Sequence, residues 1–146
     1  MIIDLRAFKQ KGLSTGNFNF DFLPDDALLP SPDQKFCKGT SVSGSFEIVG
    51  RDVYLNGELK LVVSGACARC QERTTTVVSL EFDEKFVIYN DEECYFYSKD
   101  CIDVTKMVND MILSQAPMCI YCFDDCKGLC PVCGANLNNG KCGCEN

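Results

Sequence analysis

Apolar residues occupy alternate positions over much of this chain, and a period of two predicts strands. In the segment 17–22, Phe18, Phe20 and Phe22 alternate with polar residues, the pattern of a half-buried strand. Phe46 and Ile48 lead through Val49-Gly50-Arg51-Asp52 into Val53, Leu55, Leu59, Leu61 and Val63, which predicts a hairpin. Asn56-Gly57 interrupts that alternation and predicts a bulge or a second turn. From Thr76 onward the even positions Val78, Leu80, Phe82, Phe86 and Ile88 predict the longest strand. The period then changes. Val104, Met107, Val108, Met111 and Ile112 stand at i, i+3, i+4, i+7 and i+8, one face of a helix near 103–114. Asp103 is its expected N-cap, and Pro117 closes the segment beyond its end. The stretch from Pro24 to Gly39, with three prolines, reads as a long mobile loop.

These elements predict an α+β fold class. A mostly antiparallel β body with one amphipathic helix spans 1–116, and a C-terminal cysteine-rich zinc-binding lobe spans 117–146, docked on a hairpin turn at 66–71. Apolar residues make up 46% of the 146, enough for a core in the body, so the cysteine-rich tail is an addition to a folded unit. No run approaches the roughly 18 apolar residues of a membrane-spanning helix. The acid at position 4 and the absence of a long apolar run near the start argue against a signal peptide, so the expected location is cytoplasmic. Thiols stay reduced there, and clustered cysteines then point to metal or redox chemistry rather than disulfides.

Twelve cysteines are present, and most fall into close pairs. Cys67-Ala-Arg-Cys70 lies between two predicted strands, at the turn of a hairpin. A redox CxxC would instead open a helix in a βαβ unit, so the flanking strands favour half of a metal site. The tail runs Cys119-x2-Cys122-x3-Cys126-x3-Cys130-x2-Cys133-x8-Cys142-x-Cys144. If Cys130, Cys133, Cys142 and Cys144 form one tetrahedral sulfur site, Cys122 and Cys126 remain to complete the Cys67/Cys70 pair. That partition gives two zinc ions and clamps the tail to the hairpin. A single zinc held by Cys126, Cys130, Cys133 and Cys144 is an open alternative. Cys37, Cys94, Cys101 and Cys119 have no evident partners and read as small buried hydrophobes or free thiols. An iron–sulfur cluster is the lesser reading, because Cys119–Cys130 is one residue off the ferredoxin run and does not repeat.

Charge and composition narrow the function classes. The net charge is −7, and two zinc ions each held by four thiolates would take it to about −11. Lysines and arginines are scattered, which gives nucleic acid no basic track. The chain holds no histidine and no nucleophile or phosphate-loop motif, so it reads as a non-enzyme.

Cys67-Ala-Arg-Cys70 behind a hairpin, an Ile-Asp-Val-Thr helix start at 102–105, and Cys126-Lys-Gly-Leu-Cys-Pro-Val-Cys-Gly-Ala-Asn-Leu-Asn138 resemble the YceD family, the large ribosomal RNA subunit accumulation group. The resemblance covers most of the chain, and the tail wording is its specific part. It implies that Cys122, Cys126, Cys130, Cys133, Cys142 and Cys144 are matched family positions, and that Cys119 is not. It implies a factor supporting accumulation of large-subunit rRNA, hence ribosome biogenesis, with a ribosomal protein or an assembly intermediate as the expected partner. A direct rRNA-binding zinc ribbon and a thiol redox sensor at Cys67/Cys70 are the competing classes.

Overall fold

The computed structural model describes residues 1–89 and 91–144, and its centre is one long hairpin. Strand β5 (Asp52–Ala66) and strand β6 (Arg73–Val87) pair antiparallel from Val53↔Phe86 to Ala66↔Arg73. The odd positions of β5, Val53, Leu55, Leu59, Leu61 and Val63, are buried, and the even ones face outward. Alternation dictates this: successive side chains of a strand point to opposite faces. Strand β4 (Ser41–Val49) forms the predicted hairpin with β5, and strand β2 (Thr15–Asp21) adds to the far side of β4. A two-residue strand β7 (Tyr95–Phe96) joins β6 in parallel, so the sheet order is β2-β4-β5-β6-β7.

Asn56-Gly57 makes neither a turn nor a bulge. The β4–β5 ladder runs through it unbroken, with Gly44 directly opposite Gly57. These two backbones approach so closely that a Cβ on Gly57 would overlap the Ser43 carbonyl, and one on Gly44 the Asn56 carbonyl. Phe18 stands beside Gly44 in β2, Phe82 beside Gly57 in β6, and their rings meet across the glycines at 6.4 Å. The glycine that reads as a breaker is therefore a close-approach position roofed by aromatic rings. The predicted Ile88 position also shifts: both Phe86 and Val87 are buried, and Ile88 is exposed beyond the strand end.

The helix over Thr105–Gln115, α2, presents Met107, Val108, Met111 and Ile112 to the core, as its periodicity requires. The N-cap is Val104, one residue beyond the expected Asp103, whose carboxylate instead accepts from the Thr105 N–H at 2.9 Å and the Thr105 hydroxyl at 2.6 Å just ahead of the helix. A small second sheet pairs β1 (Ile2–Asp4) with β8 (Cys101–Asp103), and a short helix α1 (Arg6–Gln10) follows β1. The stretch from Pro24 to Gly39 is tied down along its length. Its strand β3 (Lys35–Phe36) pairs with Val63 and Ser64 of β5, Leu29 and Phe36 are buried, and Asp33 accepts the Ala66 N–H at 3.0 Å. Two apolar anchors and a ladder fix this loop where its proline content suggested mobility. No helix among the described residues is long and apolar enough to cross a membrane.

Candidate metal centres

The buried face of β5 leads directly to the first cluster of thiols. Leu59, Leu61, Val63 and Gly65 alternate inward, and the next inward position is Cys67, fully buried. Cys70 follows around the turn between β5 and β6. The Cys67 N–H donates to the Glu72 carbonyl at 2.8 Å, and the Gln71 N–H returns to the Cys67 carbonyl at 2.9 Å. Gln71 takes a left-handed conformation, φ 63°, to close this turn. The second turn repeats the pattern. The Cys130 N–H donates to Ala135 at 2.8 Å, Gly134 returns to Cys130 at 2.9 Å, and Gly134 has φ 73°. Cys67-x2-Cys70 and Cys130-x2-Cys133 are thus the same turn built twice.

Each turn meets a second pair of cysteines. The sulfurs of Cys67, Cys70, Cys122 and Cys126 lie within 4.8 Å of one another, and so do those of Cys130, Cys133, Cys142 and Cys144. In the first group Cys67 and Cys126 are 3.8 Å apart, and Cys70 and Cys122 3.7 Å. A tetrahedron with zinc–sulfur bonds of about 2.3 Å has edges of about 3.8 Å, so these spacings fit a metal at the centre. Both groups could hold a metal ion. The eight thiols expected as ligands thus fall into the expected two sets. The alternative set of Cys126, Cys130, Cys133 and Cys144 does not assemble, because Cys126 sits with the hairpin pair and Cys142 completes the other group. Cys37, Cys94 and Cys101 are half-buried, Cys119 is exposed, and none joins either group.

Donors aimed at sulfur give the groups thiolate character. Burial works against ionising Cys67, but N–H groups of Cys70, Arg69 and Cys122 outweigh it and bring its pKa to about 6. In the second turn the N–H groups of Cys133 and Val132 bring Cys130 to about 6. Burial and neighbouring thiols push Cys122 up to about 12, and the Cys133 thiol with burial pushes Cys144 to about 11. Without a cation, each foursome can ionise only in part, because a second negative sulfur repels the first. A divalent ion removes that repulsion, and its binding expels the remaining protons.

Three residues that spacing did not reveal hold the tail in place. Ile120, buried, runs parallel to the Cys67 strand end, its carbonyl accepts the Ala68 N–H at 2.9 Å, and Gly65 leaves room for its side chain. Arg69 donates to the carbonyls of Asp124 at 2.7 Å and Cys126 at 3.2 Å, and its guanidinium stacks 4.9 Å from the Tyr121 ring centre. Asn138 joins the two centres: it donates to Cys126 Sγ at 3.2 Å and accepts from the Lys127 N–H at 2.8 Å. The asparagine-rich wording of 136–139 was the available signal for Asn138. Ile120 and Arg69 gave none, since their roles depend on where the tail lands.

The family model described as YceD, large ribosomal RNA subunit accumulation protein, matches residues 55–146. The chloroplastic "large ribosomal RNA subunit accumulation protein YCED homolog 1" of Arabidopsis thaliana is 26% identical over 142 residues, covering 73% of this chain and 44% of that protein. Its namesake in Zea mays is 40% identical over 57 residues, covering 38% of this chain and 20% of that protein. An uncharacterized protein of Mycobacterium tuberculosis is 27% identical over 99 residues, covering 62% of this chain and 48% of that protein. The chain spans less than half the length of these relatives. No solved structure matches.

Proposed function

The chain belongs to the YceD family of large ribosomal RNA subunit accumulation proteins, and we propose that it is a non-enzymatic zinc-binding factor supporting large-subunit rRNA accumulation. In this reading Cys67, Cys70, Cys122 and Cys126 hold one Zn²⁺, and Cys130, Cys133, Cys142 and Cys144 hold a second. The observation that carries it is the arrangement of eight thiols as two four-sulfur groups, the first joining the tail to the β5–β6 turn and the second folding the tail on itself. A shell of four thiolates leaves no open position for substrate or water, which is the condition of structural rather than catalytic zinc. With the ions in place, 117–144 forms a lobe docked on the body. The ions supply folding energy to a segment whose only buried side chains are Ile120, Cys126 and Cys130.

The partner proposed is a ribosomal protein or an assembly intermediate, met in the cytoplasm or an equivalent compartment. Direct rRNA binding by the lobe is less well supported electrostatically. Lys127 and Lys141 balance Asp124 and Asp125, and two tetrathiolate zinc centres add about −4. Phosphate contact needs the opposite sign. Affinity capture of the tagged chain with and without ribonuclease tests this. Retention of one ribosomal protein after digestion is expected, and loss of every ribosomal component on digestion overturns it. Depletion of the chain should lower the ratio of large- to small-subunit rRNA, and a Cys67→Ser/Cys126→Ser variant should fail to restore it.

A further inference from the structure

The long strand β6 is open along one side. Among the described residues its ladder partners are β5 over its whole length and β7 at Phe86 and Val87 alone, so 73–85 has no neighbour on the outer side. The Cys67 N–H bonds the Glu72 carbonyl, which fixes even positions of this strand as those facing β5, and the Tyr97 N–H reaches the Val87 carbonyl from the other side. The odd residues Arg73, Thr75, Val77, Ser79, Glu81, Asp83 and Lys85 therefore direct their N–H and C=O groups outward.

Most proteins blunt such an edge with prolines, bulges, or charges along its middle. The opposite edge of this sheet is blunted: the outward positions of β2 are Thr15, Asn17, Asn19 and Asp21, all exposed, and the last three are poor strand formers. In β6 the segment Thr74-Thr-Thr-Val-Val-Ser-Leu80 has no charge and no proline, and Val77 is 55% exposed. Charge appears only toward its two ends, basic at Arg73 and net acidic at Glu81, Asp83 and Glu84, where Lys85 is already paired with Asp52 at 2.8 Å. Glu81 also lies directly opposite Glu58 of β5, a like-charge pair that no ion pair among the described residues relieves.

We propose that β6 pairs antiparallel with β6 of a second copy of this chain, about a two-fold axis at Val77. An antiparallel two-fold sets the basic end of one edge against the acidic end of the other, and this fixes the register. Val77 meets Val77, Thr75 meets Ser79, and Arg73 meets Glu81 twice, relieving the Glu58–Glu81 repulsion. On the core side the same register sets Thr76 against Val78 and Thr74 against Leu80, covering two half-buried apolar side chains at the sheet margin. Pairing over 73–81 supplies about ten inter-chain backbone hydrogen bonds. The occupant follows from the edge itself, whose opposite charges are spaced to complement their own copy.

Sedimentation velocity on the metal-loaded full chain tests this, with the 16.2 kDa monomer and its dimer as the resolved species. Dimer is expected at ~100 µM, a concentration that detects even weak association. Val77→Pro removes an outward N–H without touching the β5 ladder and should raise the dissociation constant at least tenfold. Arg73→Glu and Glu81→Arg should each weaken the dimer tenfold or more, and the double variant should restore it. Circular dichroism and metal content show that each variant is folded, and the charge series stands should the proline variant unfold. A wild-type monomer at ~100 µM overturns the proposal, including the case where the edge captures an extended segment of another protein. So does a dimer insensitive to all three substitutions.

Discussion

Asn138 is the sharpest test of how the two sulfur centres depend on each other. It lies in the loop between the paired cysteines of the second centre, yet its Nδ2 donates to Cys126 Sγ of the first centre at 3.2 Å. Its Oδ1 accepts the Lys127 N–H at 2.8 Å, holding the three-residue link between the centres. Asn138→Ala removes both bonds. A lost partner outside the ligand shell costs about tenfold to a hundredfold in metal affinity, or about 1.4–2.7 kcal/mol. Asn138→Asp separates the two roles. It keeps an acceptor for Lys127 but sets a carboxylate against a thiolate, so it should bind metal at the first centre more weakly than Asn138→Ala does. Chelator competition gives the affinities, and NMR of the cadmium-loaded protein assigns the change to the centre containing Cys126. Wild-type affinity in both variants, or an aspartate variant that outperforms alanine, would refute the idea that a side-chain donor from the loop of one centre stabilises the other.

Chelation of the zinc-loaded chain should remove the Cys130/Cys133/Cys142/Cys144 ion first, because Cys133 is exposed while three of the first centre's sulfurs are buried. Hydrogen exchange after full chelation should then rise across 117–144 and stay slow in β4, β5 and β6, whose core needs no metal. Gly57→Ala should cost about 3 kcal/mol, since the new methyl overlaps the Ser43 carbonyl in the middle of the sheet. Thermal unfolding should fall by about 6–12 °C, whereas Gly143→Ala, with open space around it, should change little. Asp103 carries a pH signature. The Thr105 hydroxyl, then the Thr105 N–H, hold its carboxyl below the ordinary carboxylate range. A depressed acid contributes stability that is complete above its unfolded pKa of about 3.9 and is lost as pH falls toward the folded value. Asp103→Ala removes both bonds from Thr105 and should cost about 1 kcal/mol at neutral pH, and denaturation curves of the two proteins should converge below about pH 4.

Much of the fold was legible because its period is legible. The alternation of β2, β5 and β6 and the helical face of α2 each report burial, and burial is what hydrophobic patterning encodes. The same alternation placed a turn behind Cys67 and Cys70 and so their thiols on a rigid hairpin. Spacing read the grouping of the remaining thiols, since eight cysteines in short pairs leave few tetrahedral arrangements. Long-range effects were not legible. Gly57 looked like a breaker because its reason for being glycine is Gly44 in another strand, roofed by Phe18 and Phe82. The loop at 24–39 looked mobile because its anchors, Asp33 to Ala66 and Phe36 to Val63, join segments about thirty residues apart.

That distinction bears on what the metal centres are for. In the body, backbone ladders and a packed apolar core hold β2, β4, β5, β6 and α2 without recourse to the thiols. In 117–144 only one pairing reaches the body directly, Ile120 beside Cys67, with Arg69 and Gln34 adding bonds to tail carbonyls. These neutral and surface contacts are worth about 1 kcal/mol each and cannot order a segment of this length against its conformational entropy. Two tetrathiolate centres can, because metal binding is folding free energy for a segment without a core. On the proposed reading, the surface the lobe presents forms with the bound metal. On that reading the centre positions exposed Tyr121 and Phe123, which flank Cys122. A Cys122→Ser variant that leaves the β body intact but abolishes capture of the ribosomal partner would place recognition on the lobe. Undiminished capture would place it on the body instead.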